Sequence, residues 1–152
     1  MTRWQAVKRI TAWEFKRFLR LKELLTTVVV VATLGAGVPL VIDFHAEATS
    51  EKKVMLHHVA GRAAALIGTH THVQTADETV HRGTAYITDV GMTGVQVSSI
   101  GMAFDEVHYR MTTKLPRRYK PATGVATVCA ASIDIEGTRA TRIERVWAEQ
   151  DE

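Results

Sequence analysis

Three histidines stand at the ends of predicted strands, where their imidazoles could bind a metal ion. His70 and His72 follow the apolar stretch Ala63–Ile67, and His45 follows the stretch Val38–Phe44. In an extended segment, residues two apart point to the same side, so His70 and His72 can converge on one ion or on two adjacent ions. A neutral imidazole offers a lone pair near pH 7 and binds divalent transition metals. The pattern is typical of a metal site, and a solvated loop that happens to contain histidines is the alternative.

Other polar side chains lie close to these histidines along the chain. Asp43 and His45 stand on one side of a predicted strand, where Asp43 could join the site or accept bonds from backbone donors. Thr69 and Thr71 would point away from the metal or donate hydrogen bonds from a second layer around it. Asp89 ends a predicted strand before a glycine-rich turn, where capping of the turn is the expected role and ligand contact the alternative.

The remaining histidines and the cysteine show no partner in the local sequence. His57 and His58 are adjacent in a predicted helix and so lie about 100° apart, which favours the helix surface or the edge of the core. His81 and His108 are expected to be structural, and Cys129 lies in an apolar strand with nothing to mark it as a nucleophile. No phosphate-binding glycine loop and no serine-nucleophile motif occurs.

Strands and short helices alternate after residue 38, and this pattern predicts an α/β fold. Thr49 or Ser50 should cap a helix that runs to about Val59 and is closed by Gly61. A second helix should cover Phe104–Thr113. The predicted strands are Val38–Phe44, Ala63–Ile67 and Ala85–Val90, followed by a hairpin of Val125–Ile135 and Thr141–Trp147 that turns at Glu136-Gly137-Thr138.

The first 37 residues differ in character from the rest of the chain. Residues 1–23 carry seven Lys and Arg against two Glu, and a rough apolar stripe between these charges predicts a helix. The run Leu24–Ile42 has 19 residues without a charge, enough to span a bilayer with a cytoplasmic N-terminus. Its last part is also typical of a buried strand, and both interpretations stay open from the residues alone.

Composition limits the class of protein. The 152 residues suit one domain, and 46% hydrophobic with 23% charged residues argue against a disordered or fibrous chain. Beyond residue 23, 12 basic residues stand against 14 acidic ones, so we expect no nucleic-acid duplex as a partner. The single cysteine excludes an internal disulfide. We therefore expect a cytoplasmic protein, with a membrane anchor through residues 24–42 as the alternative.

Four blocks of the sequence resemble the bacterial calcineurin-like metallophosphoesterases of the YmdB type, in the order of that family and at similar separations. The blocks are Val41–Lys52, Gly61-Arg62, Gly68–Asp77 and Gly83–Gly94. The resemblance runs from about Pro39 to Trp147. The head of the chain resembles the start of a membrane permease only in its basic and apolar character.

The resemblance implies a fold, a reaction and a set of ligands. The fold would be a partial calcineurin-like metallophosphoesterase sandwich, a mixed sheet with helices outside, preceded by an N-terminal helix. The activity would be a metal-dependent phosphodiesterase acting on small phosphate esters, including 2′,3′-cyclic nucleotides. A complete member would hold two divalent metals, iron or manganese first and zinc as the alternative. His45 and His70 resemble ligands of one metal and His72 a ligand of the other, with Asp43, Thr69 and Thr71 in the second layer.

The resemblance covers roughly the second half of a family member. The first half would bring an Asp, a Glu-Asn pair, a further Asn and a histidine that serves as acid, and residues 1–38 contain none of these blocks. The catalytic and substrate-binding residues are therefore unknown, and we expect little activity from this chain alone. We expect a head over residues 1–37, the C-terminal half of a metallophosphoesterase domain over 38–148, and an acidic tail over 149–152.

Half of a two-sheet sandwich would expose a sheet face and an edge that the missing half covers. We therefore expect marginal stability, self-association into a homo-oligomer, or binding of a complementary first-half chain. The alternative functions are a membrane-associated non-catalytic fusion and a truncated remnant without activity.

Overall fold

The computed structural model of the chain describes residues 28–31 and 37–149. The strands are β1 (Val28–Val31), β2 (Val41–His45), β3 (Ala65–Thr69), β4 (Thr79–His81), β5 (Thr84–Ile87), β6 (Gly94–Val95), β7 (Ala126–Glu136) and β8 (Arg139–Glu149). The helices are α1 (Thr49–Val59) and α2 (Phe104–Thr113). The helix expected near the N-terminus lies outside the described residues.

A five-stranded mixed sheet in the order β1-β2-β3-β5-β4 carries the candidate site. Its central strands β2, β3 and β5 are parallel, and β1 and β4 pair with them antiparallel at the two edges. Parallel neighbours need a crossover connection, which α1 provides between β2 and β3. The pairing runs from Val41 opposite Ala65 to His45 opposite Thr69, so both strands end at the same edge of the sheet.

Apolar side chains fill both faces of the sheet, because neighbouring residues of a strand point to opposite sides. The cluster on the α1 side consists of Ile42, Phe44, Ala46, Leu56, Val59, Ala63, Leu66 and Tyr86. The cluster on the other side consists of Ala65, Ala85, Ile87, Ala140 and Ile143. Burial on both faces explains why β3 and β5 are almost continuously apolar.

The second sheet has the order β6-β7-β8 and covers one face of the first through the long β7–β8 hairpin. The hairpin turns at Gly137, whose φ of 61° is readily adopted by glycine, so the predicted turn is confirmed. Helix α2 has the predicted bounds and ends at Lys114 in the left-handed conformation, two residues before Pro116. The mixed α/β class predicted from the sequence is confirmed.

Helix α1 also has the predicted extent, and Gly61 follows it with a φ of 76°. The predicted cap is wrong, however. The N-cap residue is Ala48, which has no polar side chain, and neither Thr49 nor Ser50 takes this position. His57 and His58 are exposed near the C-terminal end of α1, as expected.

Part of the uncharged run Leu24–Ile42 is sheet. Val28–Val31 forms β1 and pairs antiparallel with β2, from Val28 opposite Phe44 to Val31 opposite Val41. Among residues 28–31 and 37–149, no helix is long and apolar enough to cross a membrane. The pairing of Val28–Val31 with β2 does not fit a continuous helical span through residues 24–42. The strand expected over Val38–Phe44 is present as β2, which begins three residues later, at Val41.

Candidate metal centre

His45 and His70 come together at the edge where β2 and β3 end. His45 is the last residue of β2, and His70 directly follows β3. His45 Nε2 and His70 Nδ1 are 3.1 Å apart, and the two rings meet edge to face with centroids separated by 4.9 Å. His45 is half-buried and His70 is exposed, so the meeting point of the nitrogens is open to solvent.

A chain of hydrogen bonds sets the tautomer of His45, that is, which ring nitrogen carries the hydrogen. The hydroxyl of Thr69 donates its proton to Asp43 Oδ1 at 3.0 Å, because an ionised carboxylate only accepts. The same Thr69 oxygen lies 3.1 Å from His45 Nδ1 and must therefore accept a proton from it. His45 thus carries its hydrogen on Nδ1 and directs the lone pair of Nε2 toward His70. Register explains the arrangement, since Thr69 lies opposite His45 and Asp43 is two residues earlier on the same side.

The facing nitrogens fit one metal ion. Two ligands at right angles on an ion with metal–nitrogen bonds of about 2.1 Å lie about 3 Å apart, and His45 Nε2 and His70 Nδ1 are separated by 3.1 Å. Iron, manganese and zinc all accept imidazole nitrogen in proteins. The two histidines therefore match the nitrogen part of a divalent metal site, and other ligands must complete it.

His72 is not part of this hydrogen-bonded pair. The extended backbone ends at Thr69, and both His70 and His72 have positive φ values, 119° and 63°. The simple rule that residues two apart share a side does not apply to such a backbone. Within the part of the chain that is described, no three His, Cys, Asp or Glu side chains are arranged to hold a metal ion. The role of His72 as a ligand stays a prediction.

Lys52 and Asp89 are two buried charged residues that bind the backbone of the loop after β3, which contains His70 and His72 and is called the histidine loop below. Their pairing was not predicted from the sequence. Lys52 Nζ donates to the carbonyl oxygen of Thr69 at 2.7 Å and lies 3.4 Å from Asp89 Oδ2. Asp89 Oδ2 accepts the Thr71 amide at 2.8 Å, and its Oδ1 accepts the Gly91 amide at 2.9 Å. The bond to Gly91 is the turn cap predicted for Asp89, and the contact with Lys52 was missed.

A helical spacing could have revealed Lys52. It stands four residues before Leu56 and seven before Val59, and all three side chains are buried on the inward stripe of α1. A lysine on an apolar stripe indicates a buried acidic partner, because an unpaired charge in a core is costly.

Asp77 lies in a second polar network beside the loop. Burial would raise the pKa of Asp77, but hydrogen bonds from Lys53, Thr88 and Thr75 together hold it well below its usual range. The neighbouring Glu78 accepts a hydrogen bond from Arg145, which lowers the pKa of that carboxyl. Both acids therefore have partners within the fold that account for their positions.

The remaining sequence candidates lie apart from this edge. The backbone amide of Thr71 donates to Asp89, and its hydroxyl hydrogen-bonds with the backbone of Val73 two residues on. His81 is exposed on β4 and His108 is exposed on α2. Cys129 lies half-buried in β7, as expected for a residue of an apolar strand.

Two curated relatives match part of this chain. A protein of Bacillus subtilis strain 168, named 2′,3′-cyclic-nucleotide 2′-phosphodiesterase, is 49% identical over 113 residues, which are 72% of this chain and 43% of the relative. A Mycoplasma pneumoniae protein, named putative phosphatase/phosphodiesterase, is 44% identical over 72 residues, 47% of this chain and 26% of the relative. This chain therefore spans less than half the length of these relatives.

Solved structures agree with the sequence relatives. A crystal structure of a hypothetical protein from Thermus thermophilus matches with a TM-score of 0.70 and 42% identity, over 73% of this chain and 44% of that one. A Mycoplasma pneumoniae structure described as a novel phosphatase matches with a TM-score of 0.65 and 31% identity, over 72% and 40%. The YmdB-like protein family matches residues 15–146, so the match begins ahead of Pro39, where the recognisable motifs start. The chain belongs to the YmdB-like family.

Proposed function

We propose that this chain supplies the imidazole-bearing half of a metal-dependent phosphodiesterase, with 2′,3′-cyclic nucleotides or related phosphate esters as substrates. The observation that carries the proposal is the 3.1 Å approach of His45 Nε2 and His70 Nδ1 at the ends of two parallel strands. The substrate class comes from the Bacillus subtilis relative, whose name specifies 2′,3′-cyclic nucleotides. The edge of a sheet where parallel strands end is the usual place for ligands in α/β proteins.

The protein residues have distinct tasks in this proposal. His45 and His70 would hold one divalent ion, iron or manganese first, and His72 would bind a second ion. Such ions neutralise phosphate charge and lower the pKa of bound water. Asp43 and Thr69 keep the proton of His45 on Nδ1, so that Nε2 remains a lone-pair donor. Fixing the tautomer in this way raises the affinity of a histidine for metal.

The rest of the site requires residues that this chain does not contribute. We propose that residues 38–148 are the C-terminal half of a metallophosphoesterase domain, and that a complementary first-half chain or a second copy completes it. The single cysteine is consistent with a cytoplasmic location.

A phosphodiesterase assay tests this function. The full chain is incubated with manganese and a 2′,3′-cyclic nucleotide, alone and together with the first half of the Bacillus subtilis relative, for wild type and His70→Ala. We expect little turnover by the chain alone, turnover with the added half, and its loss in His70→Ala. Absence of turnover in the completed pair would reject the proposal in favour of a non-catalytic remnant. Rapid turnover by the chain alone would show that the missing ligands are present after all.

A further inference from the structure

The buried ion pair of Lys52 and Asp89 has no task in the proposed chemistry. Its side chains are 1% and 0% exposed, so neither charge can reach a substrate. Replacing a buried ion pair by apolar residues is often neutral or stabilising. Fold stability by itself is therefore a poor explanation for these two residues, and their partners suggest another role.

The partners of the ion pair lie on both sides of His70. Lys52 Nζ donates to the carbonyl oxygen of Thr69, the residue before His70, at 2.7 Å. Asp89 Oδ2 accepts the amide of Thr71, the residue after His70, at 2.8 Å. The two charges thus hold one tripeptide through one backbone acceptor and one backbone donor. The pair also joins three elements, since Lys52 belongs to α1, Thr69 ends β3, and Asp89 follows β5.

The backbone between these contacts has a conformation that it would not keep unaided. His70 has a backbone φ of 119°, a value that residues other than glycine rarely adopt. Such residues persist only where surrounding contacts over-determine the backbone. Two backbone hydrogen bonds also join the loop to the segment after β5. The Val90 amide donates to the Gly68 carbonyl oxygen, and the Thr75 amide donates to the Asp89 carbonyl oxygen.

We propose that the buried Lys52–Asp89 pair is a positioning device that holds the Thr69–Thr71 backbone so that the His70 imidazole faces His45. The hydrogen bonds given above for Lys52 and Asp89 are with the backbone of Thr69, Thr71 and Gly91, so the pair acts on His70 through the backbone. The inference rests on the proposed function only in taking metal binding as the task of His45 and His70. The positioning itself is a property of the metal-free chain and can be measured there.

The test compares variants of the full chain by nitrogen NMR of the imidazoles and by exchange of the Thr71 amide, without metal. Asp89→Asn and Lys52→Met each remove one charge. The double variant K52M/D89N removes both, which avoids leaving an uncompensated buried charge if a single variant fails to fold. Glu106→Gln is the matched control, because Glu106 is also a buried carboxylate with cationic partners, Arg117 and Lys120, but it lies on α2.

We expect the wild type to show His45 protonated on Nδ1 and bonded to His70. In the folded variants the Thr71 amide should exchange about tenfold faster, because the loss of one hydrogen bond shifts the local opening equilibrium by about that factor. The His45 and His70 nitrogen signals should also move toward those of free imidazole, while Glu106→Gln leaves them unchanged. Unaltered signals in a folded Asp89→Asn or double variant would overturn the proposal, as would an equal change in Glu106→Gln.

Zinc added afterwards separates this inference from the proposed function. Loss of the His45–His70 contact in the variants, together with no zinc binding by the wild type, would count against the metal site and not against the positioning device. Zinc binding of equal strength in wild type and variants would count against the device alone.

Discussion

At the scale of single residues, the tautomer of His45 is the feature on which the metal site depends. A histidine binds metal through an unprotonated nitrogen, and the hydrogen bond at its other nitrogen decides which one is free. Here Asp43 takes the Thr69 proton and Thr69 takes the Nδ1 proton of His45. The sequence placed all three residues near the site from spacing and resemblance. Their order in the chain of hydrogen bonds needed the register between β2 and β3.

Thr69→Val removes the hydroxyl in this chain while keeping the side-chain shape. Because His45 then loses the acceptor that fixes its tautomer, we expect the zinc affinity of the chain to fall about tenfold. Calorimetric titration measures the change. Thr71→Val is the matched control, since that hydroxyl hydrogen-bonds with the backbone of Val73 and not with His45 among the described residues. Equal affinities of Thr69→Val and wild type would contradict this role of Thr69.

Asp77 makes stability depend on pH. Its folded pKa lies below that of the unfolded chain, so the stabilisation is complete above an unfolded pKa of about 3.9 and is lost as the pH falls through the folded value. We expect Asp77→Asn to lower the free energy of unfolding by about 1–2 kcal/mol near neutral pH, and the difference from wild type to shrink in acid. Urea unfolding at several pH values measures this. The exposed Asp134→Asn serves as control, and a difference that stays constant into acid would refute the assignment.

At the scale of elements, the sequence predicts best where local signals agree. Both helices and the β7–β8 hairpin appear at their predicted positions because periodicity and turn residues mark them. The boundaries of β3 differ by two residues, since an apolar run does not show where pairing begins. The identity of Asp89 as the partner of Lys52 depends on tertiary packing, which the helical spacing of Lys52 alone does not give.

Gly68 in β3 packs closely against the backbone of Thr88, the residue that follows β5. A Cβ added there would lie 1.8 Å from the Thr88 carbonyl oxygen, and the backbones would have to separate. We expect Gly68→Ala to destabilise the fold by about 3 kcal/mol and to displace the following histidine loop. Thermal unfolding measures the loss. Gly94→Ala, where a Cβ would meet nothing within 4 Å, should change stability by less than about 0.5 kcal/mol. Similar melting temperatures for the two variants would contradict the close approach.

At the scale of the whole molecule, the chain matches less than half of its relatives and leaves apolar side chains at the open end of the hairpin. Val128, Val146 and Trp147 are 45%, 39% and 54% exposed. By the strand register, Val128 and Val146 lie on one face of the hairpin and Trp147 lies on the other. We expect the face with the two exposed valines to favour contact with another chain. The resemblance to half a sandwich predicts an uncovered apolar face, and its location on the hairpin stays a prediction.

The double variant Val128→Thr with Val146→Thr tests that face. We expect the wild-type chain to self-associate at micromolar concentrations and the variant to do so less, because the apolar area that drives association is reduced. Sedimentation velocity measures both. Val54→Thr, at a 70% exposed site on α1, is the control and should behave as wild type. A wild-type chain that remains monomeric across the concentration range would disprove the expectation.

The most direct measurement of the central claim, that His45 and His70 bind one cation together, is a zinc titration of the full chain followed through the imidazole NMR signals of its seven histidines. We predict that the His45 and His70 signals change together, with one midpoint, at lower zinc concentrations than those of the four histidines away from this edge of the sheet. Those internal controls are His57, His58, His81 and His108. Separate midpoints for His45 and His70, or parallel changes in all seven histidines, would contradict a shared site.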